Sequence, residues 1–148
     1  MTKQIYLIGH GNMQLNEFLE LLNQEKIDTV IDVRSVPFSK YVPDFNKENF
    51  EKFLSENEID YVYMGGILGG RQPEGFDKYM NSNQFEKGID ILEEGVSGSV
   101  AAIMCSELDH TKCHRRFIAA KLVDRGFIVK NLTKCKVETV NQRTLGNF

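Results

Sequence analysis

The stretch SVAAIMC, residues 99–105, decides the fold. Val100 to Cys105 is the longest purely apolar run in the chain, six residues, far short of the about 20 that cross a bilayer. A strand over Ser99 to Met104 is apolar on both faces, and such strands lie inside parallel sheets covered by helices on either side. Upstream, Gln84 to Glu94 has helical spacing with Phe85, Ile89 and Leu92 inward, weakened by about 1 kcal/mol at Gly88. Downstream, a helix over His114 to Asp124 presents Phe117, Ile118, Leu122 and Val123 and stops at Gly126. Further out, strands are expected at Gln4 to Ile8, Thr29 to Val33, Tyr61 to Met64 and Phe127 to Leu132. Asn12 is read as the cap of a helix burying Leu15, Phe18, Leu19 and Leu22, and Asn46 as the cap of one carrying Phe50, Phe53 and Leu54. Alternation of strands and helices implies an α/β fold: a three-layer sandwich with a doubly wound, mostly parallel sheet of about five strands.

Two segments fall outside the alternation. RSVPFSKYVPDF, residues 34–45, holds Pro37 and Pro43 and is read as a long loop. GGILGGRQPEG, residues 65–75, holds five glycines and is expected to be the most flexible part of the chain.

A chain of 148 residues suits one domain, 1–148, and buries roughly 70% of its unfolded surface. Residues 133–148 are read as a C-terminal tail or an edge strand. Hydrophobic residues at 41% and charged residues at 26% exclude a disordered chain or a disulfide scaffold. The net charge of −3 conceals an asymmetry: residues 1–110 hold 9 basic and 19 acidic side chains, residues 111–148 hold 9 and 2. A basic end of this kind is either an anion-binding face or a solvated helix. The three cysteines, Cys105, Cys113 and Cys135, and a start without an apolar signal region fit a reduced, cytoplasmic protein. Cys105 and Cys113 are spaced C-x7-C, unlike the short hooks that grip zinc, so the spacing gives a metal site little support; no metal and no cofactor is assigned. No membrane association is expected either.

In open parallel sheets, ligands bind beyond the carboxyl ends of the strands. Placed on the expected strands, Gly9, His10, Asp32, Arg34, Ser35, Gly70, Arg71, Cys105, Glu107, His114 and Arg115 share that rim. Arg34, Arg71 and Arg115 are expected to clamp an anion, with Gly9, His10, Ser35 and Gly70 contributing to binding. Glu107, His114 and Asp32 are candidates for proton transfer, and Cys105 for nucleophilic chemistry.

IGHG (8–11), IDVRSVPFSKYVPDF (31–45), GGILGGR (65–71) and MCSELDHTKCHRRFIAAKL (104–122) together resemble the DUF488 family of small bacterial proteins. That family's pattern is roughly IGHS, DVRs-x-P-x-S, LGGR and C-x-E followed by CHR, and Gly11 stands where it usually has serine. The family has no established reaction. The resemblance places Gly9, His10, Asp32, Arg34, Pro37, Gly69, Gly70, Arg71, Cys105, Glu107, Cys113, His114 and Arg115 on its motif positions. A weaker likeness is to rhodanese-like domains, in which a C-x5-R loop opens a helix and the cysteine carries sulfane sulfur. Here Cys105 lies ten positions before Arg115 and Cys113 two, so neither reproduces that loop.

Three functions follow as expectations. The first is an enzyme acting on a small anionic, phosphate-bearing substrate such as a nucleotide or nucleic-acid end. The second is a sulfur-transfer or redox protein using Cys105, with Cys113 as resolving thiol. The third is a non-enzymatic module whose basic end docks on nucleic acid or an acidic protein.

Overall fold

In a computed structural model, which describes residues 3–40, 43–106, 114–134 and 137–140, the strands form one six-stranded sheet. They are β1 (Gln4–Gly9), β2 (Thr29–Asp32), β3 (Asp60–Tyr63), β4 (Ala101–Cys105), β5 (Ile128–Leu132) and β6 (Val137–Val140), in the spatial order β3-β2-β4-β1-β5-β6. The first five are parallel to their neighbours, and β6 runs antiparallel along the edge of β5.

Helices cover both faces, as the two-sided burial of β1 and β4 requires. Ile5, Leu7, Ile103 and Cys105 face a core built with α3 (Gly65–Leu68), α4 (Phe76–Tyr79), α5 (Asn83–Gly95) and α6 (Arg115–Asp124). Their alternating neighbours Tyr6, Ile8, Ala102 and Met104 face the opposite core, against α1 (Leu15–Gln24), a 3₁₀ turn at Pro43–Phe45 and α2 (Lys47–Glu56). The β1-to-β2 connection passes β4 on one face, and the β4-to-β5 connection passes β1 on the other. The helices that follow β1 and β4, α1 and α6, therefore lie on opposite faces of the sheet, and a crevice lies between the carboxyl ends of the two strands.

Several local expectations are corrected. Asn12 does not cap α1. Met13 N–H donates to the His10 carbonyl at 2.8 Å, so the chain first makes a tight turn, and α1 starts at Leu15 behind Gln14. The Glu17 carboxylate accepts from the Gln14 N–H at 3.1 Å. Asn46 does stand at the start of α2, but its Oδ1 accepts from Ser39 N–H at 2.7 Å instead of from the helix. The helix read from Gln84 begins at Asn83, capped by Ser82 Oγ accepting from Phe85 N–H. The glycine-rich segment includes α3 and leads directly into α4. Among the described residues, no helix is long and apolar enough to cross a membrane.

Candidate functional site at the carboxyl rim

A cavity of about 640 Å³ lies at this crevice. His10, Gly11 and Asn12 enter it from the end of β1, and Arg34, Ser35, Val36, Phe38 and Ser39 from beyond β2. Gly70 and Arg71 follow α3, Cys105 and Ser106 end β4, and His114 precedes α6. The floor is fixed by the sheet itself: Gly9 pairs with Cys105, and the next two amides, His10 and Gly11, donate to the carbonyls of Cys105 and Ser106 at 3.0 and 2.9 Å.

Asp32 and Arg34 form the most constrained pair. Asp32 is fully buried and Arg34 is 8% exposed. Arg34 donates through Nε and Nη2 to the two carboxylate oxygens at 2.9 and 2.8 Å, and its backbone N–H adds a third bond at 3.0 Å. The Tyr61 hydroxyl donates to Oδ2 at 2.5 Å. Burial first, then the Asp32 carboxylate, push the Tyr61 phenol up, so it stays a donor. Asp32 thus has both oxygens engaged, does not line the cavity, and holds the Arg34 guanidinium in place.

His10 is 5% exposed and stacks on Phe45 at 4.5 Å between ring centroids, 9° from parallel. Its Nδ1 lies 2.9 Å from the Gly11 carbonyl, an acceptor only, so Nδ1 carries the proton. Nε2 is then the bare nitrogen, 3.4 Å from Arg34 Nη1, which can only donate. Burial lowers its pKa to about 4, with the Arg34 and Arg115 charges acting in the same direction. A neutral His10 thus supports one end of the Arg34 guanidinium while Asp32 holds the other.

His114 is oriented differently. Its Nε2 is 3.1 Å from the Val33 carbonyl and donates there, which makes Nδ1 the basic nitrogen of the neutral ring. The ring packs beside Phe76, at 5.3 Å between centroids. Gly70 lies against it: a Cβ on Gly70 would fall 2.9 Å from His114 Nδ1. Gly69 is similarly confined, because its Cβ would fall 2.3 Å from Ser35 Oγ and 2.1 Å from the Gly65 carbonyl. These two glycines permit close packing, contrary to the flexibility expected of them. Ser35 Oγ accepts from the Arg71 N–H at 2.9 Å, which fixes the backbone from which the exposed Arg71 side chain extends.

The cavity therefore brings together His10, Arg34, Ser35, Gly70, Arg71, Cys105 and His114. Arg115 is not in its wall; the side chain is fully buried. Gly9 lies in β1 beneath the site. Cys105 is 3% exposed and belongs to the same apolar cluster as Ile5, Leu7 and Ile103. Glu107 and Cys113 lie outside the described residues. Among those described, no group of three or more His, Cys, Asp or Glu side chains is placed to hold a metal ion.

Four supporting aromatic residues escaped the sequence reading: Tyr61, Tyr63, Phe45 and Phe38. Tyr63 OH donates to the Arg34 carbonyl at 2.8 Å, completing the brace begun by Tyr61. The period of two in DYVY, which puts both tyrosines on one side of an edge strand beside β2, was the available signal.

Residues 14–122 match the family model for the domain of unknown function DUF488. The chain belongs to the DUF488 family. No curated protein and no solved structure matches it. The DUF488 match covers Asp32, Arg34, Arg71, Cys105 and His114, and begins just after His10 and Gly11, so the β1 contribution to the cavity lies outside the matched span.

Proposed function

We propose that this DUF488 domain is an enzyme that binds a small phosphate-bearing substrate in the crevice between β1 and β4. The observation that carries the reading is the convergence of two guanidinium groups and two imidazoles on one cavity at the strand order's reversal point. Arg34 has five N–H donors on its side chain, of which Nε and one each on Nη1 and Nη2 face Asp32 and His10. The remaining donors on Nη1 and Nη2 serve the anion, from a position that needs no reorganisation. Arg71 supplies the second, exposed guanidinium, and the arrangement replaces the clamp of three arginines expected from the sequence by a pair. Proton transfer falls to His114, whose Nδ1 is the basic position of the neutral ring. Asp32 holds Arg34 and has no part in moving protons.

Sulfur transfer has less support, because Cys105 packs into the apolar core on the α5 and α6 face. The test is calorimetric titration with inorganic phosphate and pyrophosphate at low and high salt. Arg71→Ala should weaken binding by roughly 10-fold or more, the worth of a hydrogen bond to a charged group, and flatten its salt dependence. Identical isotherms for wild type and Arg71→Ala would remove the reading.

A further inference from the structure

Phe38 is 68% exposed and Val36 is 51% exposed, and both stand in the wall of the same cavity. A large ring held in water contributes little to the fold. The chain nevertheless presents it firmly, because the backbone on either side is anchored to the start of α2. The Pro37 carbonyl accepts from Lys47 N–H at 2.9 Å, and Ser39 N–H donates to Asn46 Oδ1 at 2.7 Å. The exposure of Phe38 is thus a fixed feature of an anchored segment.

The cavity's size bears on what the ring meets. At about 640 Å³ it far exceeds a phosphate group, so a substrate that fills it carries a body beyond its anion. Next to the arginines, the wall offers an aromatic face and an apolar neighbour in Val36. The exposed Asn12 adds an amide with both donors and an acceptor. An anion joined to a flat, hydrogen-bonding heterocycle matches all three features.

We propose that Phe38 is the stacking platform for the base of a free mononucleotide whose phosphate is held at Arg34 and Arg71. This rests on the anion-binding reading above and names its substrate class. Stacking of a base on an aromatic side chain corresponds to about 5- to 150-fold in affinity.

The experiment compares adenosine monophosphate, ribose 5-phosphate and adenosine on wild type and Phe38 variants. Wild type should bind adenosine monophosphate about 5- to 150-fold more tightly than ribose 5-phosphate. Phe38→Ala should collapse that ratio towards one while ribose 5-phosphate binding and the melting temperature stay unchanged, since the ring is mostly in solvent. The chain has five tyrosines and no tryptophan, so Phe38→Trp provides a single indole that can be excited apart from the tyrosines; adenosine monophosphate should quench its emission and ribose 5-phosphate should not. Equal affinities for the two phosphates, or a ratio untouched by Phe38→Ala, would overturn the platform while leaving the anion site standing. Adenosine bound as tightly as its monophosphate would overturn the anion reading, and the mononucleotide assignment with it. Tighter binding of a 5′-phosphorylated oligonucleotide than of the mononucleotide would overturn the free-nucleotide assignment in favour of strand ends.

Discussion

Replacing Asp32 by asparagine removes the charge that holds Arg34 and leaves the cavity-lining residues themselves intact. In the native fold the carboxylate is fully buried and accepts from Arg34 at 3.0, 2.9 and 2.8 Å and from Tyr61 at 2.5 Å. The amide keeps one acceptor oxygen but turns an NH₂ towards donors, leaving a guanidinium that is 8% exposed without its counter-charge. Breaking a buried pair on one side costs about 3–5 kcal/mol. For 148 residues the unfolding entropy near the midpoint is about 0.3 kcal/mol/K, so melting should fall by roughly 10–16 °C. Urea denaturation gives the free-energy loss directly. The paired variant with Arg34→Met removes both charges and should recover much of the loss, since the expensive element is the orphaned charge. A loss below about 1 kcal/mol, the value of an exposed ion pair, would refute the claim that Asp32 fixes Arg34.

Two further outcomes follow from the same geometry. His10 has a folded pKa of about 4 against 6.5 when unfolded, so between those values the unfolded chain takes up a proton that the folded chain refuses. Stability is therefore full above pH 6.5 and declines by about 3 kcal/mol as the pH falls towards 4; His10→Gln should remove that part of the slope in urea titrations, and an unchanged slope would assign it to other groups. Gly69→Ala drives a Cβ to 2.3 Å from Ser35 Oγ and should cost about 1–3 kcal/mol while weakening phosphate binding through Arg71; Gly66→Ala, with nothing within 4 Å, should be neutral or stabilising by up to about 1 kcal/mol. Equal effects of the two substitutions, measured by denaturation, would contradict the close-packing role of Gly69.

Much of the fold was legible because it depends on local pattern. The two-sided apolar run at β4 and the spacing of Phe117, Ile118 and Leu122 reflect burial against neighbours on known faces. The edge strand Val137–Val140 carries less signal, since Val137 and Glu138 are half-buried, Thr139 is exposed and Val140 alone of the four is buried. At the site, strand ends could be aligned from sequence, and that alignment places His10, Arg34, Arg71 and His114 in one cavity. Partnership was not legible. Tyr61 reaches Asp32 across 29 positions and His10 approaches Arg34 across 24, and no spacing rule reports such pairs. For the same reason the sequence alone groups Arg115 with the clamp, although the side chain is fully buried. The glycines of residues 65–75 were read through their backbone freedom, whereas Gly69 and Gly70 are there because Ser35 and His114 occupy the space of a side chain.

The central claim is that a phosphate group is held between Arg34 and Arg71 at the carboxyl ends of β1 and β4. Amide chemical-shift mapping by two-dimensional NMR during titration with inorganic phosphate tests it most directly. The account predicts saturable shifts at Gly11, Ser35, Gly70, Arg71 and Ser106, whose midpoint Arg71→Ala moves to roughly 10-fold higher phosphate or more. Shifts centred instead on Lys3 and residues 97–99, at the opposite ends of the strands, or none at all, would contradict it.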